Sequence, residues 1–325
     1  MPLFRAEIRQ QPSDFQVTEL GDFEFSGEGE HACLWIEKTA ANTEWTARQL
    51  ARFAAIPARD VGYAGLKDRH AITRQWFSVR APASLDWSGF EAEGVRILEQ
   101  RRHHKKLRRG AHRGNRFRIA LRSGAVGGVI DAVSDRLQAI ATSGVPNYFG
   151  EQRFGRGGAN LGLAEAWARG KRLPRHKRSI AISTARSAIF NAILDRREQD
   201  GSWNAILPGE MANLDGSGSV FSVDQADDEL KERCAAFDIH PTATLWGDGA
   251  PLGSGAVAEL ENEVAAGFPL LVAALTSNRV DAGSRALRLV VRNLAWEFGE
   301  DVLWLEFELP KGGYATTVLS NLAEI

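Results

Sequence analysis

Asp68 stands in the run Gly62-Tyr63-Ala64-Gly65-Leu66-Lys67-Asp68-Arg69-His70-Ala71-Ile72-Thr73-Arg74-Gln75-Trp76-Phe77, a carboxylate between two cations behind two glycines. Neighbouring cations favour the ionised form of a carboxylate, and an ionised, held aspartate can act as a nucleophile or a general base. From Thr73 the residues alternate: Arg74, Trp76 and Ser78 share one face, and Gln75, Phe77 and Val79 the other. That is the period of a half-buried strand. Gly62 and Gly65 mark a tight loop ahead of it, where the backbone needs a positive φ or a close approach to a ligand. Local chemistry alone also suits a turn former or helix cap at Asp68. A nucleotide phosphate loop is excluded: the glycine spacing is too short, and Asp68 stands where Ser or Thr should follow the lysine.

The elements that must position this loop read as strands with one clear helix. Phe15–Leu20 and Ala32–Glu37 alternate as half-buried strands. Asn42 or Thr43 caps a helix to about Ala55, with Trp45, Leu50, Phe53 and Ala54 as its buried side and Pro57 closing it. Residues 101–122 begin as a basic loop and become a strand, with Phe117, Ile119 and Leu121 on one face and Arg116, Arg118 and Arg122 on the other. Val126 to Ala141 keep helical spacing. Val145-Pro146 breaks the pattern at a domain boundary. From there to about 280 the chain reads as mostly helical, including Ser183 to Arg197, with a strand over Val220–Val223 and a turn-rich connector over Gly247–Gly255. Alternation returns in Leu287, Leu289 and Val291, then in Leu303, Leu305, Phe307 and Leu309 with Glu306 and Glu308 outward; Tyr314 to Leu322 would close the chain as a helix. Helices and strands without a regular βαβ order argue for α+β with a mainly antiparallel sheet. Sheet, helices and sheet again predict a middle domain, 144–283, inserted into a discontinuous domain of 1–143 and 284–325.

The whole chain bounds the function class. Its 325 residues suffice for two domains or one domain with an insertion. No tract approaches a membrane span, and the N-terminus lacks an apolar signal core, so a cytoplasmic protein is expected. Cys33 and Cys234 are the only cysteines and have no zinc spacing, so two reduced thiols and no metal are expected. The net charge of −1 conceals segregation. Between Arg101 and Arg118 lie nine Lys or Arg and three His with no acid; Arg169–Arg178 is a second basic run, and acids gather at Asp224, Asp227, Asp228, Glu229 and Glu232. Either run alone also fits a solvated face. Two of them beside aromatic or glycine-rich blocks point to phosphate binding.

Gly65 to Gln75 resembles the motif of the TruD family of tRNA pseudouridine synthases. Three further segments resemble the same family in order: Pro12-Ser13-Asp14-Phe15-Gln16-Val17-Thr18-Glu19, Lys106 to Phe117 with Gly114-Asn115-Arg116-Phe117 at its end, and Val145 to Gly155 with Asn147-Tyr148-Phe149-Gly150. The likeness runs from about residue 8 to the C-terminus and is weak between about 200 and 280. It implies a pseudouridine synthase fold interrupted by a family-specific inserted domain, tRNA as partner, no cofactor, and uridine 13 of the D arm as target.

Carried onto this sequence, the resemblance implies that Asp68 is the catalytic carboxylate. Attack on uracil C6, attack on ribose C1′ and removal of a sugar proton all remain compatible with it. Phe117 would stack on the flipped uracil, and Asn115 would read its polar edge and help hold Asp68, although Asn115 also suits a turn after Gly114. Phe15 suits plain core as a strand residue, and the motif implies that it lines the site. Arg9 is the expected basic partner of Asp68, because Lys67, its sequence neighbour, should point to the opposite face. His70 reads as structural or phosphate-facing. Arg108 and Arg109 in the first basic run, and Arg175, Lys177 and Arg178 in the second, are expected to bind RNA from the two walls of a cleft between the domains. Two other classes compete: an RNA-binding protein or chaperone of this fold without catalysis, and a nucleotide-dependent enzyme. Intact Asp68, Asn115 and Phe117 oppose the first, and the broken phosphate-loop spacing opposes the second.

Overall fold

The computed structural model describes residues 2–325, and the chain divides into two compact units. One unit runs to Ala141 and resumes over Val291–Ala315 and Leu319–Ile325; the other comprises Thr142–Val290 and Thr316–Val318.

The first unit is built on an eight-stranded sheet. Its order is Arg292–Phe298, Val302–Pro310, Gly114–Arg122, Phe15–Leu20, Ile72–Arg80, His31–Thr39 and Val95–His103, and the short Gly62–Tyr63 strand also pairs with Ile72–Arg80. Every pairing is antiparallel except that of Phe15–Leu20 with Ile72–Arg80, where Gln16 lies opposite Ile72 and Thr18 opposite Arg74. Register places Val17, Phe117 and Phe307 in one row across three strands.

The Thr43–Phe53 helix covers Leu34, Ile36, Phe77 and Val79 on one face of this sheet. Asn42 caps it by accepting from the backbone N–H groups of Glu44 and Trp45 at 2.8 and 3.4 Å. Its buried side is Thr43, Thr46, Ala47, Leu50 and Ala51. Of the expected stripe Leu50 is fully buried, and Phe53 and Ala54 pack against the same core from its margin. Trp45, Phe53 and Ala54 are half-buried, because positions 43, 46–47 and 50–51 form the inward row and small residues there let the helix lie close to the strands.

Other differences have similar local causes. The basic segment from Arg101 does not start as a loop: Val95–His103 is an edge strand, paired only with His31–Thr39, and none of its residues is fully buried. Glu308 is not outward but buried, where its carboxylate receives the Arg116 guanidinium at 2.8 Å. The closing helix shrinks to Ala315–Leu319.

The second unit has a sheet of its own, in the order Val220–Val223, Glu210–Leu214, Ile239–Leu245 and Gly283–Ala286, all antiparallel. The Arg175–Gln199 helix supplies Ile189, Phe190, Ile193 and Leu194 to its core, as the apolar stripe predicts. Gly283–Ala286 pairs with Ile239–Leu245, and Leu289 pairs with Val145. The chain therefore returns to the first unit at Val291 rather than at 284. The strand that alternation at Leu287, Leu289 and Val291 predicts is only Arg288–Leu289, and residues 287–291 are buried on both faces.

The cap at Asn42 matters because the helix carries Thr43 toward the Asp68 loop. Asn42→Ala should cost about 1 kcal/mol, seen as a lower melting temperature, whereas Asn42→Asp should keep the parent value.

Candidate active site

Residues 64–71 form an irregular segment between the Gly62–Tyr63 and Ile72–Arg80 strands. Within it Lys67 and Asp68 leave the backbone in opposite senses. The Lys67 ammonium turns inward and donates to Glu19 Oε2 at 2.9 Å, with 4% of the lysine side chain and none of the glutamate's exposed. Burial pushes the Glu19 carboxyl above the usual range, and Lys67 opposes the shift. Asp68 turns outward. Its Oδ2 meets Arg9 Nη2 at 2.7 Å, and its Oδ1 accepts from the His70 N–H at 3.0 Å. A third of the Asp68 side chain stays exposed, so a ligand can reach it.

Arg9 takes up this position through a backbone φ of 61°, a region that residues other than glycine seldom occupy. Its guanidinium also lies 4.2 Å from the centre of the Phe15 ring. The turn between Arg9 and Phe15 is tied down by Asp14, whose two carboxylate oxygens accept from Arg122 at 2.7 and 3.0 Å. Those bonds hold the fully buried Asp14 carboxyl below the usual range.

Phe15 meets Phe117 edge-on with ring centres 6.3 Å apart, and Phe117 stacks on Phe307 at 5.4 Å. Phe117 retains 7% of its surface and Phe15 3%, so both are core residues as well as site neighbours. Asn115 lies two residues before Phe117, opposite Glu19 and Leu309. It makes no hydrogen bond to Asp68, and its Oδ1 is buried without a partner among the described residues. The structure thus brings Arg9, Phe15, Asp68 and Phe117 into one chain of contacts. Asn115 stands beside that chain.

The family model described as "TruD: tRNA pseudouridine synthase D (TruD)" matches residues 2–161 and 163–322. The chain belongs to the TruD family. A tRNA pseudouridine synthase D of Methylococcus capsulatus is 46% identical over 325 residues, covering 98% of this chain and 91% of that protein. One of Pseudomonas putida strain KT2440 is 44% identical over 329 residues, covering 100% and 93%. A crystal structure of a candidate TruD from Methanosarcina mazei shares the fold with a TM-score of 0.81 at 22% identity, covering 99% of this chain and 94% of that one.

Beneath the TruD motif loop lies a polar floor that the sequence pattern did not disclose. Lys38 is 1% exposed and donates to the Ala41 carbonyl at 2.9 Å; burial, with Lys67 adding, draws its pKa down to about 8. The half-buried His112 ring packs close to Gly65, and its Nδ1 has no partner among the described residues. Phe307 is likewise a site neighbour found only in the structure. Strand alternation fixed its inward direction, but no motif marked its stacking on Phe117.

Of the basic residues, Arg109 folds back over Tyr63, with its guanidinium 3.8 Å from the ring centre and a hydrogen bond to the phenol. Arg108 is exposed. Arg175, Lys177 and Arg178 are exposed on the first turn of the Arg175–Gln199 helix, where Arg178 donates to Asn278 Oδ1 at 3.0 Å. Among the described residues no group of three or more His, Cys, Asp or Glu is placed to hold a metal ion, and no helix is long and apolar enough to cross a membrane.

Burial, reinforced by Lys67 and Lys311, lowers the His112 pKa from 6.5 to about 4. Unfolding therefore takes up a proton between those values. The stability contributed by the neutral ring is complete above pH 6.5 and is lost as the pH falls toward 4. His112→Gln should flatten the fall in melting temperature between pH 7 and pH 5. Parallel curves for parent and variant would show that the ring titrates alike in both states.

Proposed function

We propose that this chain isomerises uridine to pseudouridine in tRNA, with Asp68 as the catalytic carboxylate and uridine 13 of the D arm as its target. The observation that carries the reading is the Asp68 carboxylate itself: exposed to a ligand, held by Arg9 at 2.7 Å and by the His70 N–H, and joined through Arg9 to Phe15. Family membership and the names of the relatives supply the reaction class. The same reading places the protein in the cytoplasm.

The isomerisation breaks the C1′–N1 bond, forms a C1′–C5 bond, and moves a proton from C5 to N1 without net oxidation. It asks for a carboxylate at the nucleoside, a pocket for the detached uracil, and extraction of the target base from the folded RNA. Asp68 can serve by attacking C6, by attacking C1′ or by taking a sugar proton. Arg9 aims that carboxylate through a charge-assisted hydrogen bond of 2.7 Å. Phe117 stands one ring from Phe15, and a base stacked on an aromatic gains roughly 1–3 kcal/mol. Asn115 Oδ1 is an acceptor suited to the N3–H of uracil.

RNA binding is assigned to Arg108 and Arg109, and to Arg175, Lys177 and Arg178. Cations in the first turn oppose the macrodipole of the helix they start, so helix stability does not account for the second group. Phosphate contact does. A fold that binds RNA without catalysis is the weaker reading, since it leaves the held, exposed Asp68 unused.

Asp68→Asn keeps the shape and cannot act as carboxylate nucleophile or base. It should abolish tritium release from tRNA labelled at uracil C5 while tRNA binding persists; near-normal turnover would sink the assignment. Replacing Arg175, Lys177 and Arg178 together by Gln should weaken tRNA binding and flatten its salt dependence by about 0.7–0.9 log units per lost phosphate contact. The chemical step at saturating tRNA should change much less. An unchanged salt slope would mean that this run is only a solvated face.

A further inference from the structure

The Asp68 loop has little backbone pairing of its own. Between its flanking strands, residues 64–71 are tied at the ends by the Gly110 N–H to the Ala64 carbonyl at 2.7 Å and the Ala40 N–H to the Ala71 carbonyl at 3.2 Å. The middle of the loop is held by two side chains from other elements. Thr43 Oγ1 accepts from the Lys67 N–H at 3.0 Å and donates to Gln75 Oε1 at 3.1 Å. Gln75 Nε2 then donates to the Gly65 carbonyl at 2.9 Å.

These three bonds form a circuit that leaves the loop at Lys67 and returns to it at Gly65. Each polarity is forced. The Gly65 carbonyl can only accept, so it takes the Gln75 Nε2 and turns Oε1 toward Thr43; the Lys67 amide can only donate, so the Thr43 hydroxyl accepts from it and gives its own proton to Oε1. Thr43 is 1% exposed and Gln75 fully buried. Water does not replace these bonds readily.

Among the described residues the Thr43 hydroxyl bonds only to the Lys67 N–H and the buried Gln75 amide. Asn42 already caps the helix through Glu44 and Trp45, and Lys38 secures the preceding turn through the Ala41 carbonyl. The hydroxyl serves the loop, one residue before Asp68.

We infer that Thr43 and Gln75 are positioning residues that fix the Gly65–Lys67 backbone and thereby aim the Asp68 carboxylate. This rests on the reading of Asp68 as the catalytic group. Lys67 anchors the same residue from its side-chain end through Glu19, and the Thr43 bond fixes its backbone end, the Leu66–Lys67 peptide one residue ahead of Asp68. A displacement of about 1 Å at a reacting group can cost on the order of 100-fold in rate.

The test compares Thr43→Val, Thr43→Ser and Gln75→Met by single-turnover tritium release from tRNA labelled at uracil C5. It adds tRNA binding, thermal melting, and hydrogen–deuterium exchange of peptides covering 64–71. Thr43→Val should slow the single-turnover rate by roughly 10- to 100-fold with tRNA affinity retained and faster exchange in the loop. Thr43→Ser should restore most of the rate. Gln75→Met opens the circuit from its other side and should reproduce the loss, which keeps the test decisive if Thr43→Val folds poorly. An unchanged rate in both Thr43→Val and Gln75→Met would overturn the inference. So would a loss explained by the unfolded fraction, or one that Ser does not relieve. Asp68→Asn in the same assay separates the two claims: an inactive Asp68→Asn beside fully active Thr43→Val and Gln75→Met rejects the positioning role alone, whereas an active Asp68→Asn rejects the catalytic reading and this role with it.

Discussion

The Lys67 ammonium, with only 4% of its side chain exposed, pairs with the Glu19 carboxylate at 2.9 Å. Glu19 in turn needs its second oxygen satisfied, which the Trp76 N–H does at 3.2 Å. Buried pairs of this kind contribute little net stability, but removing one partner strands the other charge at a cost of about 3–5 kcal/mol. The pair therefore acts as a fixed point. Glu19 belongs to the Phe15–Leu20 strand and Trp76 to the Ile72–Arg80 strand, the two that pair in parallel. Through Lys67 the loop is pinned where those strands meet, and with Lys67 inward its neighbour Asp68 is left facing out.

The same sheet face carries two kinds of interior side by side. Across Phe15–Leu20, Gly114–Arg122 and Val302–Pro310 it is aromatic and aliphatic, with Val17, Phe117 and Phe307 in register. Where the start of Ile72–Arg80 meets the end of His31–Thr39 it turns polar, with Thr73, Gln75 and Lys38 buried, before Leu34, Ile36, Phe77 and Val79 make it apolar again. An apolar wall next to a polar floor suits a detached base, which presents a π-face and hydrogen-bonding edges at once. Such a floor is expensive unless its groups are satisfied. Here Thr73 Oγ1, His112 Nδ1, Asn115 Oδ1 and Arg9 Nε are buried without partners among the described residues.

Much of this was legible in the sequence because period and motif agree there. Phe15–Leu20 alternates cleanly and is buried on one face, and the strand after the Asp68 loop and Gly114–Arg122 alternate until Ser78 and Ala120 add buried residues on the second face. Arg9 is favoured as a partner for Asp68 by its place ahead of the Phe15 motif, with Lys67 set aside by chain direction, and the two side chains lie 2.7 Å apart. The rest was hidden for specific reasons. Val95–His103 is an edge strand with no fully buried residue, so its basic end looks like a loop. Glu210–Leu214 and Ile239–Leu245 are short strands between helices, and Pro241 and the acids around them mask the alternation. Phe307 could be oriented but not partnered, since register across three strands is a tertiary fact. Thr43 looked like a helix start, and only the distances to Lys67 and Gln75 give its hydroxyl another use.

Arg9 shows why the position of a basic partner is harder to read than its charge. A left-handed backbone at arginine costs of order 1–3 kcal/mol and persists only where the surroundings impose it. Here they do: Asp14 and Arg122 lock the turn that follows, and the Phe15 ring supports one face of the guanidinium while an edge meets Asp68. The planar fork of arginine permits both contacts at once; a lysine ammonium would have to choose between them. Strain at Arg9 is thus offset by a cation–π contact and a charge-assisted hydrogen bond made in a single geometry. That geometry links the carboxylate to the aromatic row, so any movement of the 9–14 turn is carried to Asp68 and to Phe15 together.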